Sequence, residues 1–379
     1  MHIGLDGYPL CEPLTGVGHY TFELARALAR NYPKSQFELI APFKFDAFVL
    51  GQTQCENLPN LKLINLNLSS VRGRWWSLDL PRYIRRAALD LFHGTNYELP
   101  LWNRRRSVVT VHDLSSLRYP ELHRKQLARR MRRRLPLTVK LAKAIITPTQ
   151  AIKQELCAHL KVKPAKVTAI HEAPRASFSP VSREAAAHVR KRLGIEDDFL
   201  LFVGTLEPRK NLVTLLKAYA QMVRDTPFHP QMVVAGGEGW LMDETFAMMR
   251  DEDVHERLCL TGYLNDDDLG ALYSSCRAFI YPSLYEGFGL PPLEAMASGA
   301  PVISSWTPAL AETVGDTAIL FDPWDIQSLA RAMVALLADE SRRADLIEKG
   351  RAHAANFSWQ RTAELTYDVY QRCMSAARA

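Results

Sequence analysis

Residues 281–305 read YPSLYEGFGLPPLEAMASGAPVISS. The run AFIYPS has the apolar character of a buried strand, Gly287 and Gly289 open a loop, and LPPLEAMASG continues with helical spacing. Pro291 and Pro292 suit the first helical turn, whose N–H groups lack intrahelical partners, and Gly299 suits the helix end. PVISS then reads as the next strand. Strand, loop, helix, strand is the repeating unit of a parallel α/β sheet. The loop lies where a strand C-terminus meets a helix N-terminus, a place where unpaired amides and the helix dipole favour an anion such as a diphosphate. Glu286 on the loop and Glu294 inside the helix stand eight positions apart. Carboxylates accept hydrogen bonds and do not donate, so beside phosphates this pair suits hydroxyl groups, and a nucleotide-sugar combines both. From the spacing alone, two solvated glutamates beside an ordinary turn are an equal alternative.

The same alternation extends in both directions. In the first half the strand-like runs are HIGLDG, FELIAP, LKLINL, LDLFHGT, SVVTVHDL, AIITPT and KVTAIH; in the second they are FLLFVGTL, QMVVAGG, RLCLTGYL, AFIYPS, PVISS and TAILFDP. Between the two sets, residues 174–197 are rich in Pro, Ser and charge and read as a linker. Residues 325–379 read as consecutive helices. The expected fold is α/β: two Rossmann-like, doubly wound domains facing across a cleft, with ligand at the strand C-termini. Expected boundaries are 1–180 for an acceptor-binding domain and 181–357 for a nucleotide-sugar domain. A C-terminal helix, 358–379, is expected to pack back on the first domain.

Length and composition agree with two cores: 379 residues exceed what one usually supports, and 47% are hydrophobic. No apolar run approaches the ~18 residues of a membrane span, MHIGLDGYPL lacks a secretory core, and six scattered cysteines suit reduced thiols, so a cytoplasmic protein is expected. The net charge of +6 is uneven. Residues 1–180 hold 28 Lys and Arg against 13 Asp and Glu, and the remainder holds 19 against 28. A basic half joined to an acidic half implies different duties. The basic half lacks the aromatic interleaving of a nucleic-acid binder, and no such partner is expected.

E-x7-E followed by SGAPVI, with TGVGHYTFELARAL, HGTNYELP, VTVHDL, ITPTQAIKQEL, FVGTLEPRKNL, VVAGGEGW and LTGYL in this order, resembles the retaining GT-B glycosyltransferases. The wording is most like bacterial polysaccharide mannosyltransferases, which implies transfer of a hexose, mannose from GDP-mannose first, to a glycan or lipid-linked acceptor. UDP- and dTDP-sugars stay open, as does a nucleotide-sugar epimerase on the same scaffold. The resemblance implies that Glu286 contacts the donor sugar, Glu294 the ribose, and the backbone of Gly287, Phe288, Gly289 and Leu290 the rest of the donor. It implies Lys210 for the leaving diphosphate, with Arg209 beside it, because Thr205 stands where many members have arginine. Gly16 and Gly18 resemble a loop over the diphosphate, Tyr263 the nucleobase pocket, and His112 a residue near the reacting centre. Asp113 is a candidate to orient that imidazole, and Asp6 is a weaker candidate.

No metal or cofactor is expected. NDDDLG contains D-x-D, but it precedes a helical pattern, so capping explains it better. HRKQLARRMRRRLPLTVK, residues 123–140, pairs a stripe of Leu127, Met131 and Leu135 with seven cations, namely Arg124, Lys125, Arg129, Arg130 and Arg132 to Arg134. With Arg82, Arg85, Arg86, Arg104 to Arg106 and the pair Trp75–Trp76, it suggests reversible contact with an anionic inner-leaflet surface. The alternative is a solvated helix packed by its stripe.

Overall fold

The computed structural model describes residues 1–66, 74–100 and 106–375. The chain forms two compact units, Met1–Leu117 with Ala128–Glu172 and Ser358–Ala379, and Arg118–Leu127 with Ala173–Phe357. In the N-terminal unit seven parallel strands are ordered β3-β2-β1-β4-β5-β6-β7. They are β1 His2–Asp6, β2 Gln36–Ala41, β3 Leu61–Asn65, β4 Leu91–Gly94, β5 Ser107–Thr110, β6 Ala144–Thr147 and β7 Val167–Ala169. In the C-terminal unit six parallel strands are ordered β10-β9-β8-β11-β12-β13. These are β8 Phe199–Val203, β9 Gln231–Ala235, β10 Leu258–Gly262, β11 Ala278–Tyr281, β12 Val302–Ser305 and β13 Ile319–Phe321. Both sheets are α/β Rossmann-like. In each the strand order reverses once, at β1/β4 and at β8/β11, and such a reversal opens the crevice in which ligands of this architecture bind.

The strands are nearly continuous apolar runs because helices cover both faces. β1, for example, buries Ile3 and Leu5 completely. Two apolar clusters fill each unit, one on either side of its sheet. The last helix, Trp359–Ser375, places Tyr367, Val369 and Tyr370 in the N-terminal core against the helix Gly16–Asn31. Tyr32 and Tyr367 stack with ring centres 3.5 Å apart. Below them runs a buried chain in which His93 Nδ1 meets Tyr370 Oη at 2.7 Å, His93 Nε2 meets Thr110 Oγ1 at 2.8 Å, and Tyr20 Oη meets Thr110 Oγ1 at 2.9 Å. Burial pushes the His93 imidazole down to about 3, so the ring is neutral.

Two boundaries differ from expectation. The N-terminal unit ends at Glu172 rather than at 180. The stretch 174–197 is also not an open linker: Arg183–Leu193 is a helix, with Ser182 Oγ accepting from Ala185 N–H at its start and Gly194 left-handed at its end. The Ser, Gly and charge that suggested a linker are caps and a solvated helix face.

Candidate active site

In the C-terminal unit the β8/β11 switch point gathers charge. After β8 the chain turns through Pro208–Lys210, and after β11 it runs from Pro282 to Glu286. The two loops are stitched together: Leu284 N–H donates to Arg209 O at 2.9 Å, and Asn211 Nδ2 donates to Pro282 O and Pro323 O at 3.1 and 2.8 Å. Glu286 is thereby held with Oε1 2.7 Å from Lys210 Nζ and Oε2 2.8 Å from Arg209 Nη1. Tyr281 Oη donates to Glu286 Oε1 at 3.1 Å and accepts from Lys210 Nζ at 2.6 Å. Arg209 also pairs with Glu207 and donates to Tyr285 O at 2.9 Å. Burial opposes ionisation of Glu286, but Arg209 and Lys210 outweigh it and hold the carboxyl at about 2. Burial, assisted by Arg209, holds the Lys210 ammonium below the ordinary lysine range despite Glu286 beside it.

The formal charges of Glu207, Arg209, Lys210 and Glu286 cancel, so the cluster can be buried as a unit. The helix Leu290–Ala297 starts next to it. Gly289 has φ +111, and a Cβ there would lie 2.6 Å from Leu310 Cδ2, so only glycine permits this approach to the helix start. Glu294 sits buried in the same helix, its Oε1 2.8 Å from Arg175 Nε. A carboxylate, two cations and a helix N-terminus are thus fixed at one strand-end crevice, able to meet hydroxyls and a multiply charged anion together.

In the N-terminal unit His112 follows β5 and is buried. Its Nε2 lies 2.7 Å from Thr95 O and its Nδ1 3.3 Å from Glu172 Oε1. Both neighbours are acceptors, so a ring nitrogen that bears hydrogen can donate to either, and together they fix the plane of the imidazole. Tyr20 and Tyr97 press edge-on against the ring, centres 4.8 and 5.6 Å away. Tyr97 is held at φ +58, a cost that a non-glycine residue bears only when its surroundings fix it. Asp6, at the end of β1, accepts from Tyr8 N–H at 3.1 Å; burial raises its carboxyl from 3.8 to about 8, with Glu98 adding to the rise.

Residues 186–353 match the family "Glycosyl transferases group 1", and residues 14–173 match "Glycosyltransferase Family 4". The O-antigen chain mannosyltransferase B of Escherichia coli is 31% identical over 375 residues, 96% of this chain and 97% of that protein. The chain belongs to the group 1 glycosyltransferases. The serotype-specific mannosyltransferase WbdA of Escherichia coli is 33% identical over 62% of this chain and 30% of its own length. Among solved structures, the sucrose-phosphate synthase of Thermosynechococcus elongatus superposes with TM-score 0.78 at 22% identity, over 99% of this chain and all of that one. WaaG, a glycosyltransferase of lipopolysaccharide biosynthesis, superposes with TM-score 0.74 at 15% identity, over 98% and 99%. These two share the GT-B fold.

In this glycosyltransferase Arg209, Lys210 and Glu286 meet at one point, and Gly287 to Leu290 lead from it into the helix that carries Glu294. The Phe288 side chain lies in the core, and its carbonyl accepts from Thr313 Oγ1 at 2.7 Å. Thr205 follows Gly204 at the end of β8, and Tyr263 follows β10 with its ring exposed. Gly16 opens the helix Gly16–Asn31, and Gly18 is packed tightly, its Cβ direction meeting Pro9 O at 3.0 Å. Asp113 does not orient His112. Its Oδ1 accepts from Ser115 N–H and Oγ, capping the helix Ser115–Arg118, and Glu172 takes the imidazole instead.

D-x-D is likewise engaged by the protein: Asn265 caps the helix Asp266–Ser275, Asp266 pairs with Arg175 and Asp268 with Arg192. No group of three metal-ligating side chains forms among the described residues. On the basic helix Lys125–Leu141 the expected stripe holds at Met131 and Leu135 and fails at Leu127. Ala128, Met131, Leu135, Thr138 and Val139 form its buried face, while Leu127 is 42% exposed. Trp75 is core rather than interfacial, and Arg104 and Arg105 lie outside the described residues. Sequence reading missed Glu172, Arg175, Glu207 and Tyr281. Only Tyr281, ending a strand five residues before Glu286, carried a usable signal.

Proposed function

We propose that this glycosyltransferase moves a hexose, mannose from GDP-mannose, onto a growing polysaccharide or lipid-linked glycan, with retention of configuration and without a metal ion. The observation that carries this reading is the near-full-length similarity to the O-antigen chain mannosyltransferase B. Glu286 receives hydroxyls of the donor sugar and Glu294 those of the ribose. Lys210, aided by Arg209 and the amides of residues 287–290, offsets charge on the departing diphosphate, the electrostatic form of catalysis. Gly16 and Gly18 approach the diphosphate, Thr205 and Tyr263 line the donor site, and His112 lies beside the reacting sugar. The glycosidic bond breaks on the face that the acceptor hydroxyl attacks, and the leaving phosphate accepts its proton.

The basic helix adds a surface role. Arg129, Arg132, Arg133 and Lys140 are exposed, together with Leu127 and Leu137, a composition suited to reversible contact with anionic lipid. No helix among the described residues is long and apolar enough to cross a membrane, so such contact would be peripheral.

The deciding experiment offers GDP-mannose, UDP-glucose, UDP-galactose and dTDP-rhamnose, each with and without a lipid-linked acceptor, in EDTA. Acceptor-dependent GDP release with an α-linked product is expected. Turnover only with a UDP- or dTDP-sugar overturns the donor. Conversion of donor without acceptor overturns the transferase in favour of an epimerase, and activity abolished by EDTA overturns metal independence.

A further inference from the structure

Glu294 belongs to a helix whose neighbouring residues Leu293, Ala295 and Met296 are core. A carboxylate so enclosed stays charged and fixed only beside a cation. That cation comes from APRASF, residues 173–178, just after the N-terminal unit ends. Arg175 Nε lies 2.8 Å from Glu294 Oε1, and Arg175 Nη1 lies 2.5 Å from Asp266 Oδ1. The fork therefore ties two helices, Leu290–Ala297 and Asp266–Ser275, through two different carboxylates.

The rest of the segment serves the same point. Phe178 N–H donates to Arg175 O at 3.0 Å, a turn that folds the Phe178 ring beneath the guanidinium, 4.5 Å from its carbon. Ser177 Oγ donates to Asp266 Oδ2 at 3.0 Å, so both oxygens of Asp266 are taken. Arg175 is thus locked by an aromatic face, a pinned carboxylate and a backbone turn, and it passes that order to Glu294. Lysine would not reproduce this, because its compact ammonium lacks the rigid planar fork whose Nε and Nη1 face the two carboxylates in fixed directions.

We propose that Arg175 is the positioning residue of the nucleotide subsite, setting the Glu294 carboxylate in the rotamer that receives the ribose diol. This rests on the reading that Glu294 binds the ribose. Because Arg175 acts before any bond changes, its loss weakens ground state and transition state alike: donor KM rises while kcat and acceptor KM stay close to wild type.

The test is calorimetric titration of the full chain with GDP, UDP and dTDP. Glu294→Ala, Arg175→Ala, Arg175→Lys, Asp266→Asn and the double variant Arg175→Ala/Glu294→Ala are compared with wild type, alongside steady-state kinetics and melting curves. Arg175→Ala and Arg175→Lys should each weaken the nucleotide that wild type binds by about tenfold or more, as loss of an orienting partner does elsewhere. Asp266→Asn should fall between them and wild type. In the Glu294→Ala background, Arg175→Ala should add less than about twofold, since the two act through one contact. If Arg175→Ala does not fold, Arg175→Lys, which keeps the charge, decides. Wild-type affinity in Arg175→Lys, or a full additional loss in the double variant, overturns the proposal while leaving the ribose assignment standing. Wild-type affinity in Glu294→Ala overturns the ribose assignment and the proposal together.

Discussion

Glu286 and Asp6 are both buried carboxyl groups at the end of a first or fourth strand beside a switch point, yet they are treated in opposite ways. Glu286 meets Lys210 and Arg209 at 2.7 and 2.8 Å and is held ionised at about 2. Asp6 accepts one backbone N–H, feels Glu98 nearby, and is raised to about 8. His112, in the same unit as Asp6, is held between the Thr95 carbonyl and the Glu172 carboxylate. The difference follows the overall charge in reverse. The basic half of the sequence buries Asp6 with no cation beside it, while the acidic half draws two cations inward onto one carboxylate. Local pairing, not net charge, decides which carboxyl is a fixed anion.

The largest effect expected is on the cationic cluster. Glu286→Gln and Lys210→Ala should each lower turnover by ~10²–10³, the usual loss when a preorganised electrostatic partner goes. Removing one partner of a buried pair also costs about 3–5 kcal/mol, so melting must show that the variants are folded. Near-normal turnover in both would break the contrast at its active end. In the N-terminal unit Glu172→Ala should loosen the imidazole and lower turnover by up to ~10²-fold while nucleotide affinity stays unchanged. A loss of nucleotide affinity in Glu172→Ala, measured by the same titration, would mean the two clusters are not separate in function.

Next come the opposed pH dependences of stability. For Asp6 the folded state keeps a proton that the unfolded chain releases near 3.8, so its contribution is complete below that pH and is lost as pH rises through about 8. For Glu286 the contribution is present above 4.5 and is lost as pH falls through about 2. Asp6→Asn should therefore raise Tm at pH 8.5, leave it nearly unchanged at pH 4, and flatten the decline between. An unchanged slope would sharpen the comparison differently, by showing that Asp6 is paired in solution. The smallest effect concerns the surface. Arg129, Arg132 and Arg133 changed together to Ser should abolish salt-sensitive pelleting with anionic liposomes, at ~1 kcal/mol per engaged cation, without altering turnover on a soluble acceptor. Equal pelleting of both proteins would leave the basic face as mere solvated surface.

The thirteen strands among the described residues were legible because parallel strands covered on both faces are short apolar runs bounded by turns, a pattern local to each run. The crossover helix Arg183–Leu193 was not, because caps and linker residues are the same amino acids. The basic helix shows the limit of periodicity: Met131 and Leu135 lie on the buried face as the i+4 spacing predicts, but at its start the core takes Ala128 and leaves Leu127 exposed.

Residue pattern alone was enough for the two-sheet α/β class and for the position of the E-x7-E loop at a strand-to-helix junction, and the family resemblance named Glu286 and Lys210, which the fold brings into contact. Those properties depend on period, glycine and proline placement, and strand order, which act over a few residues. The partnership of each side chain was set by the fold: Arg209 with Glu286 across 77 positions, Arg175 with Glu294 across 119, His112 with Glu172 rather than with adjacent Asp113. The physical reason is that a buried charge is set by whatever lies within about 3 Å of it, and folding, not chain order, chooses those neighbours.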